Sequence, residues 1–138
     1  MSTAAERTLT VLVYSDDAAT RAAVIAALGR RPAADLPFVE CHEFATEPAL
    51  VRRLDQGGVD LAVLDGEAVP SGGMGIARRM KNEIYAAPPV LLITGRPQDA
   101  WLATWSQAEA VVPQPIDPVA LARAAASLLR PRAALTSR

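Results

Sequence analysis

The sequence predicts an α/β domain: a doubly wound, five-stranded parallel sheet with helices on both faces, a three-layer α/β/α sandwich. Three observations carry this reading. The runs Leu61-Ala62-Val63-Leu64 and Val90-Leu91-Leu92-Ile93 are continuously apolar, as expected of strands covered on both sides, and Thr10-Val11-Leu12-Val13-Tyr14 is nearly so. Each run stops at a polar group: Asp65, Thr94-Gly95, and Ser15-Asp16-Asp17. Strand-like and helix-like segments alternate five times, and right-handed crossovers turn that order into one parallel sheet. Ligand chemistry in such sheets gathers beyond the carboxyl ends of the strands, so Asp16, Asp65 and Thr94 are expected to share one crevice.

At 138 residues, 51% of them apolar, the chain can bury one core and is short for two. The formal net charge of −1 is spread among interspersed acids and bases, which argues against direct contact with nucleic acid. Cys41, the lone cysteine, can form no internal disulfide, and no apolar run reaches the length of a membrane span or a signal peptide. A cytoplasmic protein without membrane insertion is therefore expected. Lys81 is the single lysine among 14 basic residues.

The elements follow in order. Residues 1–7 are expected to be a disordered start. The first strand runs over 8–14. Asp17 caps a helix from Ala18 to about Arg30, with Ala23, Ile25, Ala26 and Leu28 inward. Phe38 to Phe44 alternates, as suits a more exposed strand. A helix over Glu47–Gln56 follows, with Pro48 in its first turn, Leu50, Val51 and Leu54 inward, and Gly57-Gly58 ending it. After the central strand, Gly66 to Gly75 reads as a glycine-rich loop, and the next helix shows Ile76, Met80 and Ile84 at fourfold spacing. Pro88-Pro89 precede the fourth strand. Helical spacing from Gln98 to about Gln107 puts Trp101 and Trp105 on one face. Ala110 to Val112 is the fifth strand, and Asp117 and Pro118 open a last helix lined by Val119, Leu121, Leu128 and Leu129. Residues 131–138 are expected to be a flexible tail, leaving a domain over 8–130.

Taken together, Ser15-Asp16-Asp17 with Arg21, Leu64-Asp65 with Pro70 and the following glycines, Thr94-Gly95, and Gln114-Pro115 resemble a response-regulator receiver domain, the CheY-like phosphoacceptor module of bacterial two-component signalling. The resemblance spans Thr8 to Leu129 and implies the flavodoxin-like fold. It implies Asp65 as the acceptor of a phosphoryl group from a histidine kinase, and Thr94 and Gln114 at the phosphate-contact positions. It also implies Mg2+ held by Asp16, Asp65 and the backbone carbonyl of Glu67, since hard oxygen donors suit that cation. A cis Gln114-Pro115 bond is implied as well.

Three departures from the family pattern set the functional expectation. Ser15 stands at the first of the two metal-binding acids, which weakens Mg2+ binding. Gln114 replaces the lysine that grips the phosphate and brings no positive charge. Val111 replaces the aromatic residue whose ring couples phosphorylation to surface shape. Asp16, Asp17, Asp65 and Glu67 would then crowd one crevice, where like charges favour either a bound cation or a held proton. Arg96 lies close after Thr94 and reads as a solvated arginine.

The resulting expectation is an atypical, stand-alone receiver that is not an enzyme. It acts through a partner protein, with phosphorylation weak or absent. A working phosphoacceptor is the alternative, served by a histidine kinase or a small phosphodonor; a cofactor-binding enzyme on the same scaffold is a third class. The resemblance implies a partner surface on the fourth helix, fifth strand and fifth helix, and one of Trp101 and Trp105 is expected in the core with the other an exposed anchor; a homodimer stays open. His42 lacks a second histidine, Cys41 reads as packing, and the glycines of 72–75 lack the spacing and basic end of a nucleotide loop.

Overall fold

The computed structural model describes residues 7–84, 86–96 and 101–135, at 102 and 103 the backbone alone. It contains β1 (Leu9–Tyr14), α1 (Ala18–Leu28), β2 (Val39–Phe44), α2 (Glu47–Asp55), β3 (Leu61–Asp65), α3 (Gly73–Glu83), β4 (Val90–Thr94), α4 (Leu102–Ser106), β5 (Ala110–Pro113) and α5 (Pro118–Leu135). All strand pairs are parallel, in the order β2-β1-β3-β4-β5. This is the expected doubly wound sheet.

Side-chain alternation divides the sheet between two cores. Val11, Val13, Val63, Leu91 and Ile93 join Val24 and Leu28 of α1 and Leu121, Ala125 and Leu129 of α5 on one face. Leu12, Tyr14, Ala62, Leu64 and Leu92 join Leu50 and Leu54 of α2 and Ile76 and Met80 of α3 on the other. β3 is buried at all five positions, which is why it reads as an unbroken apolar run. Gly57 and Gly58, which end α2, take φ values of 74° and 73° that side-chain-bearing residues rarely adopt.

Several boundaries and faces differ from expectation. In α1 the buried residues are Val24 and Leu28, while Ala23 and Ala26 face solvent; with alanine so frequent, the apolar stripe had no sharp direction. The glycine-rich loop is shorter, because Gly73 and Gly75 belong to α3 and Gly72 caps it. Val119 is exposed, and the inward line of α5 is Leu121, Ala125, Ala126 and Leu129. The expected tail from residue 131 is helical to Leu135, with Pro131 inside the helix.

Tertiary contacts explain that extension. The Arg132 side chain donates to the Val59 carbonyl at 3.1 Å and lies 3.5 Å from Asp60, which offsets the amide hydrogen that Pro131 lacks. Arg7, expected in a loose start, makes two hydrogen bonds to the same carboxylate at 2.9 and 2.7 Å. The rest of the expected start and tail, residues 1–6 and 136–138, and the predicted beginning of the fourth helix at Gln98 lie outside the described residues.

Candidate functional site

Strand register assembles the site. Tyr14 pairs with Leu64, so the next residues, Ser15 and Asp65, emerge side by side at the sheet's carboxyl edge. Asp65 in turn pairs with Ile93, which places Thr94 one step further on the other neighbour. Thr94 pairs with Pro113, and its carbonyl accepts from the Gln114 amide at 2.8 Å. The Gln114-Pro115 and Val69-Pro70 bonds are cis.

Asp65 is only 3% exposed, and each of its carboxylate oxygens carries a hydrogen bond. Ser15 Oγ donates to Oδ2 at 2.8 Å, and the Glu67 amide donates to Oδ1 at 2.8 Å. Ser15 is fully buried, and its oxygen also accepts from the Asp17 amide at 3.0 Å, so the hydroxyl is committed in both directions. Arg21 fixes this turn: it donates to the Ser15 carbonyl at 2.7 Å while pairing with Glu43 at 2.9 Å.

The other acids are put to separate uses. Asp16 Oδ1 accepts from the Val69 amide at 3.2 Å, across the turn that follows β3. Asp17 faces α1, where it accepts from the Ala19 amide and the Thr20 hydroxyl, as a cap should. The Glu67 carboxylate lies over Gly95, so closely that a Cβ there would sit 2.6 Å from Glu67 Cδ. The expected crowding of four acids is thus partly relieved by local hydrogen bonding. Thr94 Oγ1 is buried and has no hydrogen-bond partner among the described residues.

Local hydrogen bonding competes with any divalent cation for this donor set. Asp16 and Asp65 both spend carboxylate oxygens on protein amides or a hydroxyl, and Ser15 points its hydrogen at Asp65. No group of three or more His, Cys, Asp or Glu residues among the described residues is placed to hold a metal ion. Lys81 cannot supply the charge absent at Gln114, since it is on α3 and pairs with Glu109 at 2.6 Å.

Both tryptophans are on the surface, Trp101 at 69% and Trp105 at 47% exposure, which overturns the expectation that one is core. α4 is too short to bury a stripe; its buried described residue is Ser106, and the Trp105 ring lies 5.0 Å from the Arg78 guanidinium of α3. Val111 is half-buried against the core on the α2–α3 face. Burial, helped by the charge of Glu43, pushes the Cys41 thiol up to about 11, so it is protonated at neutral pH, as a packing residue would be. No described helix is long and apolar enough to cross a membrane.

Two residues escaped the sequence reading. Tyr14 Oη donates to the Ser71 carbonyl at 2.6 Å, and buried Asp60 anchors Arg7, the Thr10 amide and Arg132. A phenol closing an otherwise aliphatic strand, and an acid just before the buried central one, were the available signals.

No protein-family model matches the chain. Response regulatory proteins from two strains of Mycobacterium tuberculosis are each 56% identical to it over 122 residues, 88% of this chain and 92% of the relative. The chemotaxis response regulator CheY4 of Vibrio cholerae superposes with a TM-score of 0.72 at 17% identity, covering 89% of this chain and 100% of that one. The BeF3-activated receiver domain of DrrB gives 0.69 at 21% identity over 89% and 98%. A fuller DrrB structure from Thermotoga maritima gives 0.71 at 20% identity over 91% of this chain and 54% of that one, so this chain spans about half its length. At these identities the structural likeness concerns fold alone.

Proposed function

Because the chain belongs to the response-regulator family and folds as a CheY-like receiver of two-component signalling, we propose that it signals by binding a partner protein, with phosphorylation of Asp65 weak or absent. The observation that carries this reading is the closure of the Asp65 carboxylate onto Ser15 Oγ and the Glu67 amide, in a chain whose residue at the family's phosphate-gripping lysine position, Gln114, brings no charge. In phosphoryl transfer an Asp65 oxygen would bond to phosphorus as the bond to the leaving group breaks. The negative charge spread over the peripheral oxygens then needs cations to be stabilised. Ser15 and Gln114 are neutral, so that stabilisation is weak here, and so is Mg2+ binding.

The partner surface in this reading comprises α4, β5 and α5, with Trp101 and Trp105 as anchors; a second copy of the chain is a candidate occupant, nucleic acid is not. The protein acts in the cytoplasm and catalyses no reaction of its own.

One observation favours a working phosphoacceptor instead: the buried, unpartnered Thr94 hydroxyl would find an acceptor in a phosphoryl oxygen. Incubation with Mg2+ and acetyl phosphate, followed by intact mass measurement, separates the two. Acetate leaves if Asp65 accepts the group. An unchanged mass is expected; a gain of one phosphoryl that Asp65→Asn abolishes would establish the second reading, with a histidine kinase as natural donor.

A further inference from the structure

We propose that residues 66–72 form a strap drawn over Asp65 and fastened from β1 by Tyr14 and Asp16, so that release of the strap governs access to Asp65. This deepens, and rests on, the reading of Asp65 as a closed site.

The strap is tied at both flanks. On the β1 side, Tyr14 Oη holds the Ser71 carbonyl at 2.6 Å, and Asp16 Oδ1 holds the Val69 amide at 3.2 Å. On the β4 side, the Gly66 amide holds the Ile93 carbonyl at 2.7 Å, and Glu67 lies over Gly95. Between the ties the segment is tightly coiled: a Cβ on Gly72 would come 2.8 Å from the Gly66 carbonyl, and the Ala68 amide bonds the Asp65 carbonyl at 3.2 Å. The amide at the strap's second residue, Glu67, is itself a partner of the Asp65 carboxylate. The phenol does its work from a buried ring, so the Ser71 tie is well fixed.

Asp16 therefore holds a backbone amide where the family pattern places a metal ligand, and only its acceptor oxygen is needed for that. Asparagine at 16 would keep the tie, whereas alanine would not. A charge-based role predicts that both substitutions behave alike.

The test is carboxyl coupling of the intact, folded protein with a water-soluble carbodiimide and an amine, resolved by peptide mass spectrometry, alongside backbone hydrogen exchange. Exposed Asp117 is the internal reference. Tyr14→Phe, which keeps the ring, and Asp16→Ala are each expected to raise coupling at Asp65 by about fivefold to tenfold, the loss of one hydrogen bond. Both should speed exchange over 66–72 and leave β2 unchanged, while Asp16→Asn stays near wild type. Unchanged coupling and exchange in both Tyr14→Phe and Asp16→Ala would overturn the strap, as would Asp16→Asn matching Asp16→Ala. Neither readout involves phosphate, so labelling of the wild type by acetyl phosphate would defeat the proposed function alone.

Discussion

Ser15 changes what the site can hold. Its hydroxyl gives the buried Asp65 carboxylate a hydrogen where an acid would have repelled it. Ser15→Asp sets two carboxylates side by side and is expected to cost about 2 kcal/mol without a cation, most of it regained with Mg2+. Thermal unfolding with and without Mg2+ checks this: the variant's midpoint should rise and the wild type's barely move, and an equal rise in both would contradict it. Ser15, Asp65 and Thr94 were legible in the sequence because strand ends announce themselves where apolar runs stop, while Gln114 was picked out by the family resemblance alone. The tie from Tyr14 to Ser71 was not, since a side chain meeting a backbone 57 residues away leaves no spacing to read. Nor was the exposure of Trp101 and Trp105, because fourfold spacing puts two rings on one face without saying what that face meets.

At the scale of elements, Asp60 joins three that the sequence left separate: the approach to β1 through Arg7, the entry of β3, and the end of α5 through Arg132. Burial alone would push its carboxyl up, yet the hydrogen bonds from Arg7 and the Thr10 amide and the charges of Arg7 and Arg132 hold it below the ordinary carboxylate value. A depressed folded pKa contributes stability above the unfolded value, near 4, and loses it as pH falls through the folded value. Asp60→Asn keeps an acceptor for Thr10 but no charge for the arginines. It should be less stable than wild type by roughly 2–3 kcal/mol at neutral pH, with the gap closing below about pH 4. Denaturant melts across pH measure this, and a gap of constant size would refute the assignment. The same anchor is why α5 continues past Pro131, a residue that on local rules reads as a stop.

Over the whole molecule, the parallel sheet was readable because its buried strands stand out as unbroken apolar runs, whereas its division into two cores was not, since alternation within a run that is apolar at every position marks no face. The exposed setting of Trp101 and Trp105 was less readable, since exposure is a property of the assembled surface. Trp101, just before α4, and Trp105, within it, each present large apolar area, and removing them should leave the fold intact. A Trp101→Ala, Trp105→Ala double variant is expected to unfold within about 1 kcal/mol of wild type while losing most of its affinity for the partner, as hot-spot tryptophans do. Calorimetry and a titration with the purified partner test the two halves, and retained affinity would move the docking face elsewhere.

β3 enters the sheet on an acid gripped by two guanidinium groups and leaves it on one served by a hydroxyl and an amide. One five-residue ribbon thus has a riveted foot and a compliant rim. Under gentle heating the molecule should loosen first at the rim, so the earliest breathing of this fold exposes the very carboxylate it otherwise conceals.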